Sequence, residues 1–122
     1  MFHPCVIIIE DSWGYVFGGF ISPGLQQSGT YYGNGESFVF SVLPEPRQYH
    51  WTKKNELFIS SNSHVFAMGG GGSGFAFQLD DEFNDGTSNS SDTFDNPILS
   101  SNEFFKCLNV EIWSLEKMSF IV

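Results

Sequence analysis

Apolar and polar residues alternate along short stretches of this chain, and turn-forming residues separate the stretches roughly every ten positions. Alternation with a period of two is typical of β-strands that bury one face. The pattern predicts eight strands, at residues 5–10, 15–20, 37–42, 47–51, 57–60, 64–68, 75–79 and 107–113. This number of short strands favours a mainly β, two-layer antiparallel β-sandwich.

Phenylalanine dominates the apolar positions, with 14 in the chain. Phe38, Phe40 and Val42 are spaced by two, which places them on one face of a strand, and we expect that face to form part of a Phe-rich core. Residues 80–102 are rich in Asp, Ser, Asn and Gly, and Pro97 interrupts them. We expect a long surface loop there, with at most one helical turn at residues 100–104.

The glycine run MGGGGSGFAF, residues 68–77, contains the literal pattern G-x-G-x-x-G at Gly69, Gly71 and Gly74. A phosphate-binding fingerprint needs a helix directly after the glycines, and a strand-like pattern follows here instead. We therefore predict that the run is structural, allowing Trp51 and Phe75 to approach the backbone closely. The structural turn residues are predicted to be Gly33, Gly35, Gly69, Gly70, Gly71, Gly72 and Gly74.

Charge narrows the range of partners. The chain has 122 residues, which favours one domain, and a net charge of −9, which disfavours binding to nucleic acid. Eight acidic residues and no Lys or Arg lie between Lys54 and Lys106, whereas Arg47, Lys53 and Lys54 group together. We expect this asymmetry to steer the chain towards a basic protein surface.

No targeting segment is apparent, because the apolar run at residues 6–9 is too short for a signal peptide or a membrane span. We expect a cytoplasmic location without membrane insertion. In that reducing compartment, Cys5 and Cys107 are expected to be buried small hydrophobes rather than a disulfide. The three histidines have no zinc-ligand spacing, and the acids from Asp80 onwards miss the EF-hand pattern. No metal, cofactor or catalytic residue is predicted.

Seven blocks of sequence, in order, resemble the successive motifs of the TLDc domain family. They are GYVFGGF (14–20), YYGNGESFVF (31–40), YHWT (49–52), AMGGGG (67–72), LDDEF (79–83), TFDNP (93–97) and VEIW (110–113). The motif-bearing region spans residues 6–115 of a single domain over residues 1–122. The resemblance implies a sandwich with few short helices, a role in oxidative stress protection, and binding to subunits of the vacuolar proton-pumping ATPase.

Several positions depart from the family pattern. The N-terminal helical part of the domain is expected to be missing, which would expose apolar sheet surface and promote self-association. Lys53 and Asp95 replace expected glycines, which implies positive φ at both positions. Gln78 replaces an expected Trp. Ser91 lies near a position where family members often carry Cys, which leaves Cys107 or Cys5 for any direct peroxide chemistry.

We predict a non-catalytic interaction domain whose acidic residues 80–96 form one docking face. The predicted partner-binding residues are Glu36, Asp80, Asp81, Asp85 and Asp95. For Glu36, the interpretation favoured here is structural: its carboxylate would accept hydrogen bonds from turn amides and fix the hairpin. Two alternatives to an interaction domain stay open, namely a peroxide-scavenging protein using Cys107 or Cys5, and an inert, truncated family member.

Overall fold

The computed structural model describes residues 3–114, which form nine β-strands and no helix. The mainly β, antiparallel fold predicted from the sequence is confirmed. The strands are β1 (Cys5–Asp11), β2 (Val16–Ile21), β3 (Phe38–Leu43), β4 (Arg47–Tyr49), β5 (Ile59–Ser61), β6 (Val65–Met68), β7 (Phe77–Asp80), β8 (Asp85–Thr87) and β9 (Phe104–Ser114).

The nine strands follow one another by hydrogen bonding in the order β4-β3-β2-β1-β9-β8-β7-β6-β5. The long strand β9 connects two halves: its first residues pair with β8, and the rest pair with β1. The register of β9 shifts opposite Glu10 and Asp11, near the point where it passes from one half to the other. A β-bulge bends the strand that carries it. The irregularity therefore lies where β9 changes its partner from β8 to β1.

The two halves face each other across a core of aromatic and aliphatic side chains. The ring of Phe17 on β2 packs edge-on against Phe77 on β7 and Phe105 on β9, at centroid distances of 6.1 and 5.2 Å. Strand β1 contributes Cys5, Ile7 and Ile9 to this core, and burial alternates along the strand although its sequence is a continuous apolar run. The predicted pair of layers is therefore present, joined through β9 into one continuous sheet.

The predicted core face of β3 is wrong, although its period of two is right. Val39 is the fully buried residue of this strand, and it lies opposite Gly19 on the face that meets the other half. Phe38 and Phe40 lie on the outer face, where the Phe38 ring stacks on His50 at 4.4 Å. Phe38, Phe40 and Val42 share a face because they are two positions apart. This spacing does not indicate which face of the strand packs against the core.

The predicted surface loop at residues 80–102 is also wrong in part. Strand β8 lies within it, residues 100–103 form bends, and Phe104 begins β9 where a helical turn was expected. Its polar composition misled the prediction, because many of its small polar side chains point inwards and satisfy backbone groups. The buried residues of this segment are Ser88, Ser91, Thr93, Phe94, Asn96, Leu99 and Ser100.

Candidate interaction site

The glycine run joins β6 to β7, and its backbone groups bond to other parts of the chain. The Gly69 and Gly70 amides donate to the carbonyls of Phe58 and Leu57 at 2.8 and 2.9 Å, and the Gly69 carbonyl accepts from Ala76 at 2.9 Å. Strand β7 follows at Phe77, so the helix that a phosphate site requires is not there. These two amides are therefore already used within the fold.

A segment at residues 89–96 packs against the glycine run. A Cβ placed on Gly69 would lie 2.9 Å from Phe94 and 3.0 Å from the Ser91 hydroxyl, and one placed on Gly74 would lie 2.8 Å from the Asn89 amide. The aromatic side chains nearest to these glycines are thus Phe94 and Tyr31, the second 2.9 Å from a Cβ placed on Gly70, whereas the indole of Trp51 lies over Gly35. The run serves as a close-packing surface for this segment.

Thr93 holds the centre of this packing. Its buried hydroxyl lies 2.7 Å from Asn55 Oδ1 and 2.9 Å from the Gly70 carbonyl, either of which can accept its single proton. The Thr52 amide donates to the Thr93 carbonyl at 2.9 Å. Ser91 donates to Asn96 Oδ1 at 2.6 Å in a buried contact. The Ser91 hydroxyl, near the position where family members often carry Cys, therefore has a structural role.

Asp11 is a structural residue that the sequence analysis missed. Its side chain is completely buried, and its two oxygens accept four hydrogen bonds. The amides of Trp13 and Tyr15 donate to Oδ1 at 2.9 and 3.1 Å, and the amide and hydroxyl of Ser101 both donate to Oδ2 at 2.8 Å. The available signal was an Asp directly after the first predicted strand, at the start of its connection to the second, where an Asp side chain commonly caps the next amides.

The acidic hairpin, residues 80–85, joins β7 to β8. The Asp80 carboxylate accepts hydrogen bonds from the amides of Asn84 and Asp85 at 2.8 and 3.2 Å, so it fixes the turn. Asp81 and Glu82 are exposed. Asp85 forms an exposed ion pair with Lys106, at 2.6 Å between Oδ1 and Nζ. The hairpin thus presents a group of carboxylates, of which Asp80 fixes the turn.

Asp95 does not belong to this group. Residues 89–96 lie beside the glycine run, which precedes β7, whereas the acidic hairpin follows β7 at its other end. Asp95 pairs with Lys54 at 2.9 Å instead. Strand β7 therefore separates the acids of residues 80–96 into two groups, and contact of one partner with both groups stays a prediction. The positive φ predicted for Lys53 and Asp95 is confirmed, at 69° and 52°.

Glu36 lies exposed in the turn before β3. The predicted role of its carboxylate in fixing this turn is wrong, because the Asn34 side chain has that role. Asn34 Oδ1 accepts from the Glu36 amide at 2.9 Å and from the Ser22 hydroxyl at 2.8 Å. Among residues 3–114, no side chain or amide donates to the Glu36 carboxylate. Contact between Glu36 and a partner stays a prediction.

Cys5 and Cys107 form no disulfide, and neither has the environment of a reactive thiol. Cys5 is buried in β1. Cys107 is half-buried, and burial raises the pKa of its thiol to about 11, with the carboxylates of Asp80, Asp85 and Asp11 acting in the same direction. At pH 7 only about one Cys107 thiol in ten thousand would be the nucleophilic thiolate.

The described part of the chain also has neither a metal-binding group of side chains nor a membrane-spanning helix. Within residues 3–114, no three His, Cys, Asp or Glu side chains are grouped so that they could hold a metal ion. The same residues include no helix long and apolar enough to cross a membrane.

Comparison with known proteins agrees with the motif order in the sequence. A family model described as the TLDc domain matches residues 1–116. Human oxidation resistance protein 1 is 42% identical over 93% of the chain, the protein of that name from Xenopus laevis is 38% identical over 93%, and nuclear receptor coactivator 7 from Gallus gallus is 35% identical over 93%. The chain spans only 12–13% of the length of these relatives. On this evidence, the chain belongs to the TLDc domain family.

Proposed function

We propose that the chain is a non-catalytic protein-interaction domain that acts in protection against oxidative stress by binding and regulating the vacuolar proton-pumping ATPase. Similarity to proteins named oxidation resistance protein 1 supports the stress role. The TLDc resemblance supports the choice of the pump. The predicted cytoplasmic location is part of the proposal, since the domain would meet the cytosolic sector of the pump.

The observation that carries this proposal is the acidic hairpin. Asp81 and Glu82 are exposed and form no ion pair with a described residue, while Asp80 holds the turn that presents them. A fixed negative surface steers and orients a basic partner at a small entropic cost. Glu36 and Asp95 lie elsewhere on the domain and would belong to separate contacts.

Neutralising the acidic hairpin is expected to weaken binding to the purified cytosolic sector of the vacuolar ATPase. The double variant Asp81→Asn/Glu82→Gln removes two exposed charges and keeps the Asp80 cap, so we expect binding about three- to tenfold weaker with an unchanged fold. Biolayer interferometry at several salt concentrations measures the loss, which should shrink as salt rises. ATP hydrolysis by the same sector reports regulation.

The matched control is Glu56→Gln/Glu103→Gln, which removes the same charge from two exposed positions that lie outside the hairpin and form no ion pair with a described residue. This variant should bind within twofold of wild type. Equal losses in both double variants would mean that net charge alone drives binding, and the proposed docking surface would be wrong. Wild type that neither binds the pump nor consumes peroxide would favour the inert family member.

Direct peroxide scavenging by a cysteine is the competing function. Because burial and three carboxylates disfavour the Cys107 thiolate, we expect Cys107→Ser to leave hydrogen peroxide consumption unchanged. Cys5→Ser is the parallel test for the buried thiol. Consumption is followed by loss of peroxide absorbance against a no-protein blank. A drop in either variant, with far-UV circular dichroism unchanged, would support an enzymatic role.

A further inference from the structure

A cleft of about 650 Å³ lies beside the acidic hairpin, between the two halves of the sheet. Ile7 and Ile112, which are opposite each other on β1 and β9, form part of one wall. Phe66 and Val65 on β6 and Phe83 in the hairpin form part of the other. This volume is in the range of sites that bind small molecules or a few side chains of a peptide.

Unequal strand lengths explain why the cleft is open. Strand β9 has 11 residues and β1 has 7, whereas β5 to β8 have only three or four each. Ile112 is directly opposite Ile7 in the register, which places both on the same face of the sheet. Ile7 is 1% exposed and Ile112 is 40% exposed. The half of the sheet formed by β5 to β8 therefore covers Ile7 and leaves Ile112 partly exposed.

The rim of the cleft is polar and negative. Asp80 and Asp81 line it on the hairpin side, and amide or hydroxyl side chains line the remainder, namely Gln26, Gln27, Ser61, Asn62 and Ser63. No Lys or Arg is among the described lining residues. Because the Asp80 carboxylate already accepts two amides, Asp81 is the carboxylate with the freedom to pair with a ligand cation.

We propose that this cleft binds a short extended segment of a partner protein in which an aliphatic side chain stands next to Lys or Arg. The proposal rests on the proposed function as an interaction domain and names the chemistry of the partner. The aliphatic group packs against Ile112 and Val65, which line the cleft and are partly exposed, and the cation lies near Asp81. The side-chain amide groups of Gln26 and Asn62 can hydrogen-bond with the backbone of an extended peptide.

The test uses the 122-residue chain and a capped peptide that alternates lysine and leucine. One control peptide has glutamate for every lysine, and the other has serine for every leucine. We expect the lysine–leucine peptide to bind at least about tenfold more tightly than either control, because charge and apolar burial both contribute. Methyl resonances of Ile7, Ile112 and Val65 should shift on titration. Shifts confined to residues outside the cleft would overturn the proposal.

Variants on either side of the cleft separate its two contributions. Ile112→Thr removes apolar wall surface and should weaken peptide binding about fivefold, and Asp81→Asn should weaken it about threefold. Leu108→Thr and Glu103→Gln are matched controls, because both residues are exposed and neither lines the cleft. The controls should stay within about twofold of wild type. Equal losses in cleft and control variants would overturn the proposal.

Failure of this inference is distinguishable from failure of the proposed function. If the pump sector depends on Asp81 and Glu82 but neither the sector nor the peptide responds to Ile112→Thr, the hairpin docks and the cleft proposal is wrong. If the peptide occupies the cleft and the pump sector does not bind, only the choice of partner is wrong. A dimer in sedimentation that Ile112→Thr dissociates would show that a second copy fills the cleft, against the proposal.

Discussion

Replacing Asp11 with alanine is expected to lower the free energy of unfolding by about 3–5 kcal/mol. The change removes a completely buried carboxylate and leaves the four donors that contact it without their acceptor. The four contacts are part-buried, so water can reach some of the donors, and each donor left unsatisfied costs towards the lower end of about 1–3 kcal/mol. Asp11 also connects the β1–β2 turn to Ser101, so its loss loosens the chain before β9.

Asp11→Asn gives a second, graded measurement. The asparagine oxygen can still accept from the amides of Trp13 and Tyr15, but its NH₂ group faces the Ser101 amide, which is a donor. We expect a loss of about 2–3 kcal/mol. Urea denaturation gives both values, with Glu10→Gln as the control at the neighbouring position. A loss below about 1 kcal/mol for the alanine variant would show that these four contacts do not stabilise the fold as described.

The positions of the strands were more predictable than their core faces. Strand β1 was predicted to begin at Cys5, where the structure has it, from a short run that is apolar on both faces. Strand β3 is also apolar on both faces, and its core face was predicted wrongly. Only the pairing with β2, which sets Val39 opposite Gly19, decides which face joins the core. That pairing is a long-range property and does not appear in local spacing.

The polar segment after β8 was not predictable from composition. Serine, threonine and asparagine favour loops because their side chains bond to nearby backbone, and this same property lets them occupy the interior when partners are present. Ser88, for example, is buried and donates to the Ala76 carbonyl at 2.6 Å. The Leu99 amide in turn donates to the Ser88 hydroxyl at 2.8 Å. The partners lie 11 and 12 positions away, beyond the reach of a local pattern.

The candidate site was predictable in its charge and less so in its geometry. The excess of acids over bases predicted an acidic face over residues 80–96, of which the structure groups residues 80–85 in one hairpin. Sequence could not show that Asp80 is a turn cap or that Asp95 lies at the other end of β7. The cap depends on the backbone of the turn at residues 80–85, and the position of Asp95 depends on how the chain folds back after β8. Both facts restrict the hairpin experiment to Asp81 and Glu82, because a change at Asp80 would confuse lost binding with lost structure.

Replacing Gly69 with alanine is expected to lower the free energy of unfolding by about 2–4 kcal/mol, for two reasons that can be measured separately. Gly69 has a φ of 77°, a conformation that costs a residue with a side chain about 1 kcal/mol or more. The new Cβ would also lie 2.9 Å from both Ala76 and Phe94, which are buried and have little room to move. Urea denaturation measures the total.

Two other glycines separate the conformational cost from the packing cost. Gly14 has a φ of 88° and a Cβ placed there meets nothing within 4 Å, so Gly14→Ala should report the conformational cost alone, about 1 kcal/mol. At Gly29, a Cβ also meets nothing within 4 Å and φ is not positive, so Gly29→Ala should change stability by less than about 0.5 kcal/mol. If Gly69→Ala costs no more than Gly14→Ala, the glycine run is needed only for its turn, and residues 89–96 do not require its close approach.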